Sequence, residues 1–179
     1  MKNKFLYLLL FFLLISCSKS KVNTSSGIVA IEDTADLPDQ ISYHLEMSFV
    51  DSSFTKAIIE AKRGRVYASK NCSILDSGIK VTFFSATGRK SAVLTATELE
   101  VDDITKNMIA KGNVVVISDS TNTKLETEVL EWDNERRKIH SQVFVTVTSP
   151  REIINGWGFE SDENLNKYQF FKVNGVISK

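Results

Sequence analysis

This 179-residue sequence is short of most side chains that carry chemistry. It has two histidines, His44 and His140, and two cysteines, Cys17 and Cys72. No His-x-His, no cysteine pair at ligand spacing and no carboxylate cluster stands beside them, so neither a metal nor a cofactor is expected. Neither a Gly-x-Ser-x-Gly elbow nor a phosphate-cradling glycine loop occurs, and an enzyme is not expected either. Lysine plus arginine and aspartate plus glutamate both number 22, a balance that offers nucleic acid no basic surface. The two prolines, Pro38 and Pro150, fall outside every patterned run. No long apolar stripe at i, i+3, i+4, i+7 appears, so helices are minor or absent.

What is present starts at the N-terminus. Met1–Lys4 is basic, Phe5–Ile15 is wholly apolar, and the run closes on Leu14-Ile15-Ser16-Cys17. A basic start, a short apolar core and a small residue before the cut describe a secretory signal. The run is shorter than the roughly 18 residues of a spanning helix. Leu-Ile-Ser-Cys also resembles a bacterial lipobox, whose cysteine is diacylated and becomes the mature N-terminus; a plain secretory peptide is the alternative. The reading adopted is a lipoprotein signal peptide over 1–16, lipidation at Cys17, and a flexible polar tether over 17–39. Cys72 is then alone, which excludes an internal disulfide and leaves an idle thiol.

Residues 40–179 read as strand after strand. Ile41, Tyr43, Leu45, Met47 and Phe49 alternate with polar residues, and Ile79, Val81 and Phe83 do the same after Gly78. Met108, Ala110, Gly112, Val114 and Val116 form another line, as do Ile139, Ser141, Val143, Val145 and Val147. A phrase then recurs: "LTATELEVDD" from Leu94, "LETEVLEWDN" from Leu125, and more faintly "INGWGFESDE" from Ile154. In the first copy Leu94 and Ala96 share one face but Leu99 and Val101 the other parity; Leu125, Thr127, Leu130 and Trp132 slip at the same place. Such a slip marks a bulge or corner where a strand bends. Each copy ends in an acid and a polar turn, followed by a return strand at Met108, Ile139 and Tyr168. "IIEAKRGRV" at 58–66 is an earlier, weaker unit. Paired strands repeating about every 30 residues mean stacked hairpins and an all-β fold.

The same stretches, in the same order, resemble the LptC family, the periplasmic component of lipopolysaccharide export. Ser91–Gly175 carries the likeness most fully, and "GIKVTFFSATGRKSAVLTA" fits the preceding strand and glycine turn. The resemblance implies an open, twisted β-jellyroll of antiparallel hairpin repeats. It implies a periplasmic protein that receives lipopolysaccharide from an inner-membrane ABC transporter and passes it to a periplasmic bridge of similar jellyrolls. Family members commonly carry an uncleaved membrane helix, whereas here a lipid on Cys17 is expected to hold the domain, at the inner membrane. Ser18 after the cysteine does not mark inner-membrane retention as an aspartate would.

Two sets of positions follow. Ile79, Val81, Phe83, Met108, Val114, Val116, Ile139, Val143, Val145 and Val147 form the inward line expected to border an acyl-chain path, with core packing as the competing role for any one of them. Few residues follow the last return strand, so its edge is expected to stay uncovered and available to a partner strand. Gly156, Gly158, Phe159, Tyr168 and Phe170 are the candidates there. The rival reading is a structural or adhesive surface lipoprotein with a closed β-sandwich that binds protein or glycan through its loops.

Overall fold

A computed structural model of the chain describes residues 37–51 and 54–178; the signal peptide, Cys17 and nearly all of the tether lie outside them. Nine strands follow one another: β1 (Gln40–Asp51), β2 (Phe54–Tyr67), β3 (Cys72–Phe84), β4 (Lys90–Asp102), β5 (Met108–Ser118), β6 (Thr123–Asp133), β7 (Lys138–Thr148), β8 (Glu152–Asp162) and β9 (Tyr168–Ser178). Among the described residues the only helical element is a 3₁₀ turn at Ala68–Lys70. Every strand pairs antiparallel with its sequence neighbour, in the order β1 to β9, and β1 and β9 are not paired with each other. The sheet is open, and the fold is an all-β jellyroll of successive hairpins.

The phase slip in the repeated phrase is the corner of this sheet. Buried positions on the outgoing strands jump by three residues: Ala61 to Gly64 and Thr127 to Leu130. On the return strands they jump by four, Ala110 to Val114 and Ser141 to Val145. The extra residue makes a bulge opposite each slip, and the ladder register shifts there in every interior pair. Ser77–Gly78 and Gly112–Asn113 carry the first two bulges with positive φ, 67° and 100°, then 75° and 48°. Glycine fits the left-handed region at no steric cost. The third bulge, Gln142–Val143, has no glycine and no positive φ. Val143 is therefore not inward: at 37 % exposed it sits on the outside of the corner, correcting the strict alternation read from the sequence. In β1 the left-handed His44 (φ 52°) breaks the alternation as well, and Ile41 and Tyr43 beyond it are exposed.

Bending brings two layers face to face. The core between them holds Ile59, Leu75, Val101, Leu125, Val145, Val147 and Phe159, each at most 2 % exposed. On the outside of the corner a ladder of charges crosses four strands at paired positions, Arg63, Asp76, Glu98 and Lys111. Arg63 grips Asp76 bidentately (Nε–Oδ1 2.8 Å, Nη2–Oδ2 2.9 Å), and Arg65 Nη2 adds a third bond at 2.8 Å. These donors, Arg63 first, hold the Asp76 carboxyl below the usual aspartate range against the opposing effect of its burial.

Candidate functional site

Between the two layers lies a cavity of about 460 Å³. Its walls come from both ends of the bent strands: Phe49, Ala57, Val81, Phe83, Phe84 and Leu94 from one layer, Leu99, Met108, Ala110, Leu130, Trp132 and Ile139 from the other. Lys56, Lys106, Asn134, Arg137, Glu163 and Asn164 stand around it where the hairpin ends of one layer meet the turns of the other. Lys106 Nζ donates to the Asp103 carbonyl at 2.6 Å, and Arg137 lies 3.6 Å from the Glu163 carboxylate. The result is an apolar slot ringed by polar side chains, with Lys56, Lys106 and Arg137 as its cations and Glu131 and Glu163 as its anions. An amphiphile with hydrocarbon tails and an anionic head matches that pattern, since each buried methylene contributes about 0.8 kcal/mol.

The floor of the slot continues past the cavity. Ladder pairing sets Met47, Ile59, Val81, Leu94, Val116, Leu125, Val147 and Ile154 side by side across eight strands, ending at Val176 on β9. This apolar rail arises because every strand presents its inward parity at the same height. Of this rail, Val81 and Leu94 line the cavity. Farther along, Phe159 stacks on Tyr168 (centroids 6.0 Å apart) and meets Phe170 edge-on (5.4 Å), and the layers close on each other.

The ten groove candidates therefore divide. Val81, Phe83, Met108 and Ile139 line the cavity. Ile79, Val114, Val116, Val145 and Val147 point inward but are packed, at 3 % exposed or less. Val143 is outside. Phe49, Leu99, Leu130 and Trp132 stand out as apolar in the sequence pattern but lie outside the inward line chosen from it, and Phe84 and the polar lip carry no periodic signal. The edge candidates divide too. Tyr168 and Phe170 lie on β9, the terminal strand of the sheet, whereas Gly156, Gly158 and Phe159 lie on β8, which is hydrogen-bonded on both sides. Those three cannot offer free backbone to a partner. Gly156 instead lets β9 approach: a Cβ there would stand 2.9 Å from Phe170 Cδ1, and closer still to the Lys172 carbonyl oxygen.

The recurring acids are turn caps. Asp102 Oδ1 accepts from the N–H groups of Ile104 (2.9 Å) and Thr105 (2.7 Å), Asp133 Oδ1 from Arg136 N (2.8 Å), and Asp162 Oδ1 from Asn166 N (2.8 Å). The Thr105 and Ile104 amides hold the Asp102 carboxyl below its ordinary range. Among the described residues no group of three or more His, Cys, Asp or Glu is placed to hold a metal ion. His140 pairs with Glu131 (3.3 Å), and the Cys72 thiol is half-buried and raised by that burial. Among the described residues no helix is long and apolar enough to cross a membrane. Compared with known proteins, residues 6–177 match the family described as lipopolysaccharide-assembly, LptC-related. No curated protein matches the chain.

Proposed function

The chain belongs to the LptC family and takes part in lipopolysaccharide transport, and from that premise we propose that it is a lipid-anchored periplasmic relay. On this reading it receives lipopolysaccharide from an inner-membrane ABC transporter and hands it to a bridge protein of similar fold. The observation that carries the proposal is the apolar cavity with Lys56 and Lys106 at its lip. Acyl chains would lie against Val81, Phe83, Leu94 and Met108, and the phosphates of the head would meet the lysines. The cavity lies nearer the β1 side of the sheet, which suits entry from that side and departure toward β9. Strand addition at the β9 edge would make the contact with the bridge, its backbone hydrogen bonds giving affinity. Acylation at Cys17 would hold the domain at the membrane; two or more acyl chains anchor stably where one does not.

A photo-reactive residue at Phe83 or Met108 tests the site, and one at Thr82, on the opposite face, is the control. In cells, the first two are expected to capture lipopolysaccharide and Thr82 is not; equal capture at all three positions refutes the slot. Mass spectrometry of the cell-derived protein tests the anchor, and an unmodified Cys17 in a full-length chain refutes it.

A further inference from the structure

The β8–β9 turn is built differently from its sister turns. In the β4–β5 and β6–β7 turns the left-handed residue stands four places after the capping aspartate, at Lys106 (φ 64°) and Arg137 (φ 53°). In the β4–β5 turn the apolar side chain, Ile104, stays outside at 70 % exposed. In the β8–β9 turn the left-handed residue comes three places after Asp162, and it is Leu165 (φ 56°), 1 % exposed and part of the core. A branched aliphatic residue rarely takes that conformation, because its Cβ crowds the backbone. Burial of its side chain between the layers holds it there.

The turn is also fastened across the open side of the sheet. Ser118 Oγ, fully buried at the end of β5, donates to the Asn164 carbonyl at 2.9 Å. Glu163 reaches Arg137 at 3.6 Å. Glu163 and Asn164 themselves border the cavity. The turn thus stands where open slot gives way to closed core, while the apolar rail runs on beneath, from Leu94 and Val116 to Leu125 and Val147. Its fastenings to other strands include a neutral hydrogen bond, an ion pair at the surface, and a buried side chain held on strained backbone.

We propose that the β8–β9 turn is a latch, with Leu165 as its bolt, that must lift before a lipid chain can pass from the cavity into the β6–β9 half of the slot. This rests on the lipid-carrying reading above and adds a control point to it. The side chain of Leu165 holds the space between the layers that an advancing acyl chain needs, so the lipid replaces one apolar occupant with another. Lifting the turn exposes few polar groups, since the capping bonds of Asp162 are internal to the turn and travel with it.

The test uses the full chain with Cys72→Ser, carrying Ser118→Cys and Asn164→Cys so that oxidation ties the latch shut. A diazirine-bearing aliphatic residue is placed at Phe83, in the cavity, or at Val147, beyond the latch, and hexa-acylated lipid A is the probe. Peptide mapping confirms the bridge. Capture at Val147 is expected to fall at least tenfold on oxidation and to return on reduction, with capture at Phe83 unchanged. Capture at Val147 that ignores the bridge, alongside capture at Phe83, overturns the latch alone. Loss of capture at Phe83 in both states overturns the lipid pathway and the latch's role with it. Leu165→Asn is an independent variant, because asparagine accepts the left-handed backbone while withdrawing the bolt. It should quicken capture at Val147 several-fold, and an unchanged rate counts against the proposal.

Discussion

Replacing Gly156 with alanine should unseat β9 although the residue lies on β8 and its backbone is unstrained. The added Cβ would meet Phe170 Cδ1 at 2.9 Å and the Lys172 carbonyl carbon at 3.2 Å, where ordinary contacts begin at 3.4 Å. The nearest atoms are backbone, which cannot swing aside, so β9 has to retreat from β8. Overpacking of this kind costs roughly 1–3 kcal/mol. Stretching the flanking ladder bonds costs about 1 kcal/mol for each one lost. Against this, alanine recovers about 0.5 kcal/mol by restricting the unfolded chain. The balance is about 2–3 kcal/mol of lost stability, which lowers Tm by roughly 8 °C in a domain of this size. Gly175→Ala is the matched control, on the same strand pair, because a Cβ there meets nothing within 4 Å. Thermal melts by circular dichroism compare the two. If Gly156→Ala melts within about 2 °C of Gly175→Ala, close approach is not what the glycine provides.

Three further outcomes follow from the geometry. Val145→Asp should unfold the domain by burying an unpaired charge, whereas Val143→Asp, one bulge away, should change stability by no more than about 0.5 kcal/mol; urea midpoints of the two decide whether the bulge turns Val143 outward. Asp76→Asn should lower the urea midpoint at pH 7. The Asp76 carboxyl is held below its unfolded value, so the wild-type advantage is present above about pH 4. It fades as pH falls through the lower folded value, and an advantage that persists unchanged at pH 2 removes the arginine pairing as its cause. Charge reversal of Lys56 and Lys106 together should weaken retention of bisphosphorylated lipid A but not of cis-parinaric acid at moderate salt; equal loss of both ligands would mean that the lysines do not read the head.

Much of this fold can be read from side-chain parity alone. The slips at Thr97–Glu98 and Glu128–Val129 are visible because a residue of the wrong parity turns apolar, and they locate the corner correctly. The bulges on the return strands are legible only where glycine marks them, at Gly78 and Gly112. Gln142–Val143 carries no such mark, and a valine in an unbroken alternating run reads as inward. The cavity was half legible: Val81, Phe83, Met108 and Ile139 lie on regular stretches, but the opposite wall and the lip come from turns. Where turn residues meet across a slot depends on the bend angle, which no local pattern encodes. Leu165 shows this most plainly, an apolar residue in a polar turn whose burial depends on the layer above it. The uncovered edge was legible in the return strand from Tyr168, which is the terminal strand β9, whereas Gly156, Gly158 and Phe159 belong to β8 beside it, where Gly156 lets the backbone of β9 come close.

Pairing each strand only with its sequence neighbours also sets how this protein forms and comes apart. Every ladder closes a short loop, so its sheet carries little of the loop-closure entropy that slows most β folds. A chain crossing a membrane N-terminus first can add β1, β2 and β3 in turn without waiting for its far end. Stability then behaves as a sum over adjacent strands, in the manner of a linear array. Damage spreads from the nearer end instead of collapsing the whole, and amide exchange should rise stepwise from β5 outward to β1 and to β9. A protein handled strand by strand in this way can release its terminal strand to a partner while the strands behind it keep their place.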